Sequence, residues 1–127
     1  MIKLVLIDTS AWIEFLRKDG SIEMRQKVVS LMRMQSARVC EPVLLELYSG
    51  AQGNEVKTIR ELEQTVDLLF CKQHTWIRAI NYAKKLRTLG YTIKGMDIII
   101  QAIGDENGAE ILAVDKHFDI MKKALSL

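Results

Sequence analysis

Short apolar runs alternate with segments of helical periodicity along this chain, and this alternation constrains the fold more than any other feature. Residues 4–7, 38–40, 68–70 and 111–114 have the length and the mainly apolar character of buried strands. Between them, apolar side chains recur with the spacing of one helix face. Parallel strands need a connection about as long as a helix, and such connections are right-handed. The pattern therefore predicts an α/β fold with a parallel sheet of about four strands and with six or seven helices.

Residues that begin and end helices divide the segments between the strands. Ser21 is a good cap for a helix that follows it, and Pro42 and Gly50 suit the first turn and the end of another. A long helix ends at Gly90. Its spacing predicts a buried face formed by Trp76, Ile80, Ala83 and Leu86.

Length and composition are typical of one cytoplasmic domain. The chain has 127 residues, of which 49% are hydrophobic and 27% charged, so residues 1–127 are expected to form a single domain. A net charge of +2 is not the strongly basic balance of a protein that only binds phosphate backbones. The longest apolar runs are too short for a membrane span. Cys40 and Cys71 have no metal-type spacing to a histidine and are expected to be reduced thiols.

Two predicted strands end in an acid. Asp8 follows residues 4–7, and Asp115 follows residues 111–114. Ligands of an open parallel sheet bind beyond the carboxyl ends of its strands, so neighbouring strands would bring both carboxylates into one crevice. The alternative is that each acid only caps the helix after it.

Two further acids stand in otherwise apolar helices. Glu46 lies within "PVLLELYSG" and Asp97 within "KGMDIIIQA". Each also has a structural alternative: an exposed helix edge for Glu46, and an interaction with the helix N-terminus for Asp97. Ionised acids about 4 Å apart repel by about 4 kcal/mol at an effective dielectric constant near 20. A cluster of all four therefore calls for a cation, and oxygen ligands favour Mg²⁺ or Mn²⁺, which assist phosphodiester cleavage.

Four segments in order resemble the PIN-domain nucleases, and among them the VapC-like toxins of bacterial toxin–antitoxin pairs. The segments are "LIDTSAWIEFL", "EPVLLELYSG", "GMDIIIQAI" and "ILAVDKHFD". The resemblance implies a three-layer α/β/α sandwich in which Asp8, Glu46, Asp97 and Asp115 gather around Mg²⁺ or Mn²⁺. It also implies a hydroxyl near the metal, which Thr9 or Ser10 supplies here.

The same resemblance implies a function and partners. It suggests an endoribonuclease that cleaves RNA, forms a homodimer and is inhibited by a cognate antitoxin. The antitoxin would insert a segment into a groove near the site, and four residues are expected either to line that groove or to belong to the core: Trp12, Ile13, Phe15 and Leu16.

The remaining polar residues leave alternatives open. His117 is interpreted as an exposed histidine at a helix start rather than as a general acid. Lys94, Lys116 and Arg87 either meet an RNA backbone or are simply solvated.

Three other classes of protein compete with the nuclease hypothesis. An aspartyl-phosphate phosphatase needs a second Asp where this chain has Ser10. A receiver domain needs paired acids after the first strand and an Asp after the third, and neither is present. A non-catalytic module of the same fold remains the main alternative.

Overall fold

The computed structural model describes residues 2–127, which form seven helices and four strands. In chain order these are β1 (Val5–Ile7), α1 (Thr9–Leu16), α2 (Ile22–Arg33), β2 (Ala37–Cys40), α3 (Glu41–Gly50), α4 (Glu55–Thr65), β3 (Asp67–Leu69), α5 (Gln73–Thr88), α6 (Gly95–Glu106), β4 (Glu110–Leu112) and α7 (His117–Ala124). The predicted α/β fold is confirmed.

The four strands form one parallel sheet in the order β3-β2-β1-β4. In β1, one of the two inner strands, Leu6 pairs with Arg38 of β2 and with Ile111 of β4. Leu6 and Ile7 are both fully buried. Because neighbouring residues of a strand point to opposite faces of the sheet, helices must cover both faces. This is the arrangement of the predicted α/β/α sandwich.

The sheet order explains how distant segments meet. β1 and β4 are separated by about 100 positions in sequence, yet they are hydrogen-bonded neighbours. Both strands run in the same direction, so their carboxyl ends lie at one edge of the sheet. The residues that follow them, Asp8 and the loop that contains Asp115, therefore leave the sheet on the same side.

Local signals set several helix boundaries as predicted. The Ser21 hydroxyl caps α2 by accepting a hydrogen bond from the backbone N–H of Met24 at 3.2 Å. Pro42 lies in the first turn of α3, where the lack of an N–H costs nothing, and Gly50 is its last residue.

The third strand is displaced by one residue from its prediction. Residues 68–70 were expected, but β3 spans Asp67–Leu69 and Phe70 is exposed. Asp67, Leu68 and Leu69 pair with β2 in parallel register. The pairing partner, rather than the apolar character of the segment itself, fixes where the strand ends.

The predicted buried face of α5 is confirmed at Leu86 and wrong at its other three residues. Trp76 is 55% exposed, Ile80 and Ala83 are also exposed, and the core side of α5 carries Thr75, Ala79 and Tyr82 together with Leu86. The Thr75 hydroxyl donates to Glu106, and the Tyr82 hydroxyl donates to Asp105 Oδ2 at 2.6 Å, both on α6. Because α6 supplies partners for these hydroxyls, α5 buries polar residues and turns its larger apolar residues outward.

The core lies on both sides of β1 and β2. It includes Trp12, which is fully buried and packs edge-on against Phe15, with ring centroids 5.8 Å apart.

Cys40 is buried and Cys71 is half-buried, and both are free thiols as expected. Burial raises the pKa of Cys40 to about 12, so this thiol stays protonated. None of the helices in residues 2–127 has the length and apolar character to span a membrane.

Candidate active site

Asp8 lies at the junction of β1 and α1. It is the N-cap of α1, and its Oδ2 accepts hydrogen bonds from the Ser10 backbone N–H at 3.1 Å and from the Ser10 hydroxyl at 2.6 Å. The side chain is buried. Burial raises the pKa of Asp8, the charges of Asp115 and Asp97 add to this effect, and the Ser10 hydrogen bonds oppose it. Asp8 therefore caps the helix after it, which was the structural alternative considered from the sequence. It also lies near two other acids, Asp97 and Asp115.

Ser10 connects the ends of two neighbouring strands. Its hydroxyl donates to Asp8 and accepts a hydrogen bond from the backbone N–H of Val114 at 3.0 Å, just beyond β4. The Asp8 backbone N–H donates to the carbonyl of Leu112 at 2.9 Å. These bonds hold the segment before Asp115 against the segment that carries Asp8.

Asp97 and Asp115 meet through His117. Asp97 is buried in the first turn of α6, and its Oδ2 lies 2.9 Å from His117 Nδ1. Asp115 Oδ1 accepts the backbone N–H of His117 at 3.0 Å and lies 3.8 Å from the same ring nitrogen. His117 is the first residue of α7 and its side chain is 41% exposed, both as predicted, but its ring also contacts Asp97, which the prediction did not include.

Glu46 occupies the side of the site formed by α3. Its Oε1 accepts a hydrogen bond from the Thr9 hydroxyl at 2.6 Å, and the side chain is half-buried. Thr9 follows Asp8 directly, so this bond links Glu46 to the start of α1. Glu46 is not part of the closest group of donors, which consists of Asp97, Asp115 and His117.

Of the four predicted acids, Asp97 and Asp115 belong to the closest group of donors, Asp8 lies near both, and Glu46 is held beside them by Thr9. One donor atom from each of Asp97, Asp115 and His117 lies within 4.8 Å of the others. Asp8 is close enough that both acids influence its pKa. Several carboxylates so placed repel one another unless a cation offsets their charge, and their oxygens are ligands for hard divalent ions. The donor set therefore fits a divalent metal.

An apolar groove of about 370 Å³ opens beside Glu46. Ile13 and Leu16 of α1 line it together with Leu47 of α3 and Ile59 of α4. Of the four residues predicted for a groove or the core, Ile13 and Leu16 line the groove, whereas Trp12 is core and Phe15 packs against it.

Two lysines lie at the N-termini of α6 and α7, the helices next to the site. Lys94 is the N-cap residue of α6 and Lys116 is that of α7, and both are exposed. Arg87 is exposed near the end of α5.

The contact between His117 and Asp97 is the feature that sequence reasoning missed. No local signal in the sequence gives this contact, because Asp97 and His117 lie 20 positions apart on different helices.

The fold and the acidic site together define a family. A family model described as PIN domain matches residues 5–124, and the chain belongs to the PIN domain family. Within it, the chain is 33% identical over 129 residues to Ribonuclease VapC11 of Mycobacterium tuberculosis, which covers 98% of this chain and 96% of that protein. The predicted resemblance to VapC-like PIN domains is confirmed.

Solved structures share the fold. FitAcB from Neisseria gonorrhoeae matches with a TM-score of 0.75 at 17% identity, over 94% of each chain. VapBC2 from Rickettsia felis, bound to a DNA fragment from their promoter, matches with a TM-score of 0.78 at 12% identity, over 90% of this chain and 89% of that chain. At these identities the similarity concerns the fold alone.

Proposed function

We propose that this protein is the endoribonuclease toxin of a toxin–antitoxin pair, with residues 1–127 as a single nuclease domain. The observation that carries the proposal is the convergence of Asp8, Asp97 and Asp115 at the carboxyl ends of β1 and β4. The similarity to a ribonuclease VapC over nearly the whole chain supports RNA as the substrate.

The proposed active site consists of Asp8, Glu46, Asp97 and Asp115, with Mg²⁺ or Mn²⁺ as cofactor. Asp8, Asp97 and Asp115 supply the oxygen ligands that such ions prefer. When bound, the ion lowers the pKa of a water molecule and offsets the charge that develops on the phosphate oxygens. This assignment accounts for a buried acid, Asp8, whose neighbours are themselves acids.

The neighbouring hydroxyls hold the carboxylates in position. Ser10 fixes Asp8 Oδ2 through two hydrogen bonds, and Thr9 fixes Glu46 Oε1 through one. Because Thr9 occupies only one oxygen of Glu46, Oε2 is left to accept a proton from the attacking water. We therefore assign Glu46 as the general base and Thr9 as the residue that positions it.

The lysines at the helix starts suit a polyanionic substrate. Lys94 is three residues before Asp97, and Lys116 directly follows Asp115. Both are exposed beside the acids, where they can contact phosphates on either side of the cleaved bond. The modest net charge of the chain is compatible with this local contact.

Two protein partners complete the proposal. A cognate antitoxin places an apolar segment in the groove lined by Ile13, Leu16, Leu47 and Ile59, next to Glu46, and so blocks the site. A second copy of the chain packs on the exposed apolar face of α5, which is formed by Trp76, Ile77 and Ile80. The proposed location is the cytoplasm, where RNA and a partner are both accessible.

RNA cleavage by the purified chain, free of any partner, tests the function. Structured RNA is incubated with Mg²⁺ or Mn²⁺, and cleavage is expected to stop in EDTA. Loss of a group that only supports a metal ligand costs roughly 10–100-fold, so Asp8→Asn and Asp97→Asn should each reduce the rate at least about 100-fold. Asp67→Asn is the matched control, because Asp67 is exposed at the opposite end of the sheet.

Growth of the expressing cells provides a second readout of the same test. Expression without the antitoxin should arrest growth, and Asp8→Asn or Asp97→Asn should relieve the arrest. Undiminished cleavage by either variant would refute the site. An inactive wild-type chain that leaves growth unaffected at high soluble expression would favour a non-catalytic module instead.

A further inference from the structure

One histidine stands among the carboxylates of the proposed site and has no role in the function described so far. His117 Nδ1 lies 2.9 Å from Asp97 Oδ2 and 3.8 Å from Asp115 Oδ1. Among the residues that the structure describes, no other three side chains of His, Cys, Asp or Glu offer ligand atoms so close together. A single ring nitrogen thus faces two acids from different elements.

These distances match those between ligands of one metal ion. Ligands of a small divalent ion lie about 2.1 Å from it, so they are about 3 Å apart in adjacent octahedral positions and about 4 Å apart in opposite ones. The separations of 2.9 and 3.8 Å fall in that range. A histidine that only oriented Asp97 would need to approach one carboxylate, whereas this nitrogen lies between two.

We propose that His117 Nδ1 is a direct metal ligand together with Asp97 and Asp115, and that the site therefore prefers first-row transition ions over Mg²⁺. The inference rests on the proposed metal-dependent function and specifies its cofactor. Metal binding would take the place of the 2.9 Å contact between Nδ1 and Asp97 Oδ2. Mg²⁺ prefers oxygen ligands, whereas imidazole is a good ligand for Zn²⁺, Fe²⁺ or Ni²⁺, and Mn²⁺ accepts it alongside carboxylates.

The exposure of His117 fits this assignment. Its side chain is 41% exposed, so an ion reaches the ring from solvent without opening the core, while Asp97 beneath it is buried. The ring is attached to the first turn of α7, and the buried residues of that helix, Phe118 and Met121, anchor it. Replacement of His117 is therefore expected to leave the fold intact.

Pulsed electron paramagnetic resonance of the Mn²⁺-loaded full chain tests the proposal. A directly bound imidazole produces a ¹⁴N coupling to Mn²⁺, which labelling of histidine alone with ¹⁵N converts to a ¹⁵N coupling. The chain has two histidines. His74→Gln is the matched control, because His74 lies on α5 near Glu106, and it should keep the coupling that His117→Gln loses. Calorimetry should show that His117→Gln weakens Mn²⁺ binding about tenfold more than Mg²⁺ binding.

Each outcome decides between the ligand assignment and the function on which it rests. Mn²⁺ bound without a histidine nitrogen coupling, or a coupling that persists in His117→Gln, overturns the ligand assignment and leaves the carboxylate site standing. Mg²⁺ binding without Mn²⁺ binding overturns the ligand assignment alone, whereas absence of both Mg²⁺ and Mn²⁺ binding to the wild-type chain overturns the ligand assignment and the metal-dependent function. Should His117→Gln fail to fold, ¹⁵N-histidine-labelled His74→Gln still decides, because His117 is then the only labelled residue.

Discussion

At the scale of single residues, Asp8 is a side chain whose position opposes folding. Burial, followed by the charges of Asp115 and Asp97, raises its pKa above the ordinary value of 3.8 despite two hydrogen bonds from Ser10. The folded chain therefore holds the Asp8 proton more tightly than the unfolded chain does. At pH values above the raised pKa, Asp8 is ionised in the folded chain and lowers the free energy of unfolding. Such a cost is expected where a site is built for a ligand rather than for stability.

Replacement of Asp8 by Asn should consequently stabilise the metal-free protein. The favourable contribution of protonated Asp8 is complete below pH 3.8 and is lost as the pH rises through the raised folded pKa, whereas Asn does not titrate. In EDTA, Asp8→Asn should have the higher free energy of unfolding at pH 7, and the difference should shrink toward pH 4. Urea unfolding at both pH values measures this. Asp67→Asn, at an exposed acid, should show no such gain, and a destabilised Asp8→Asn at pH 7 would contradict the expectation.

Reasoning from the sequence located the acids but not all of their contacts. Asp8 directly follows β1, as predicted. Asp115 was expected directly after a strand at residues 111–114, but β4 ends at Leu112 and Asp115 lies in the loop that follows. Their meeting depended on β1 and β4 being neighbours, which only the folded sheet decides. The bonds of Thr9 to Glu46 and of His117 to Asp97 join segments 37 and 20 positions apart. Side-chain direction across such gaps depends on helix packing angles, which no local pattern encodes.

At the scale of the secondary-structure elements, helix ends that depend on local hydrogen bonding were predicted well. The side of a helix that faces the core was predicted less well. The Ser21 cap and the Pro42–Gly50 helix follow from backbone hydrogen bonding, which is local. The buried face of α5 was predicted from apolar residues alone, and of its four residues only Leu86 is buried. Thr75 and Tyr82 take the core side because α6 supplies acids for their hydroxyls, and this partnership exists only after folding.

Gly20 between α1 and α2 provides a test at this scale. A turn at Asp19-Gly20 was predicted from conformational preference, but the structure gives another reason for the glycine. A Cβ on Gly20 would lie 1.9 Å from the carbonyl oxygen of Glu14. Since backbone atoms must shift to relieve this contact, Gly20→Ala should lower the free energy of unfolding by about 2 kcal/mol or more.

Gly50→Ala is the control for this substitution. Gly50 is the last residue of α3, and an added Cβ would have no neighbour within 4 Å. Alanine is favoured over glycine in helices by up to about 1 kcal/mol, so Gly50→Ala should be neutral or slightly stabilising. Both variants are compared by urea unfolding. Equal stability of the two would show that the α1–α2 turn adapts to a side chain.

At the scale of the whole molecule, the two tryptophans show how apolar surface is distributed. Trp12 is fully buried at the centre of the fold, whereas Trp76 is exposed beside Ile77 and Ile80 on α5. Scattered apolar residues on a surface are ordinary, but three large ones within five positions of one helix form a patch. The fold class was predictable because it follows from the alternation of strands and helices. The exposed patch was not, because the same periodicity predicts a core face.

Homodimerisation through α5 is the corresponding prediction. Burial of Trp76, Ile77 and Ile80 against a second copy removes apolar area from water, and a charge placed there would have to be desolvated. Ile80→Asp should therefore sediment as a monomer at micromolar concentration while the wild-type chain sediments as a dimer. Ile22→Asp is the matched control, because Ile22 is also an exposed isoleucine, at the start of α2, and it should remain dimeric. A dimer that survives Ile80→Asp would place the contact elsewhere. A monomeric wild-type chain would show that the chain does not form a homodimer.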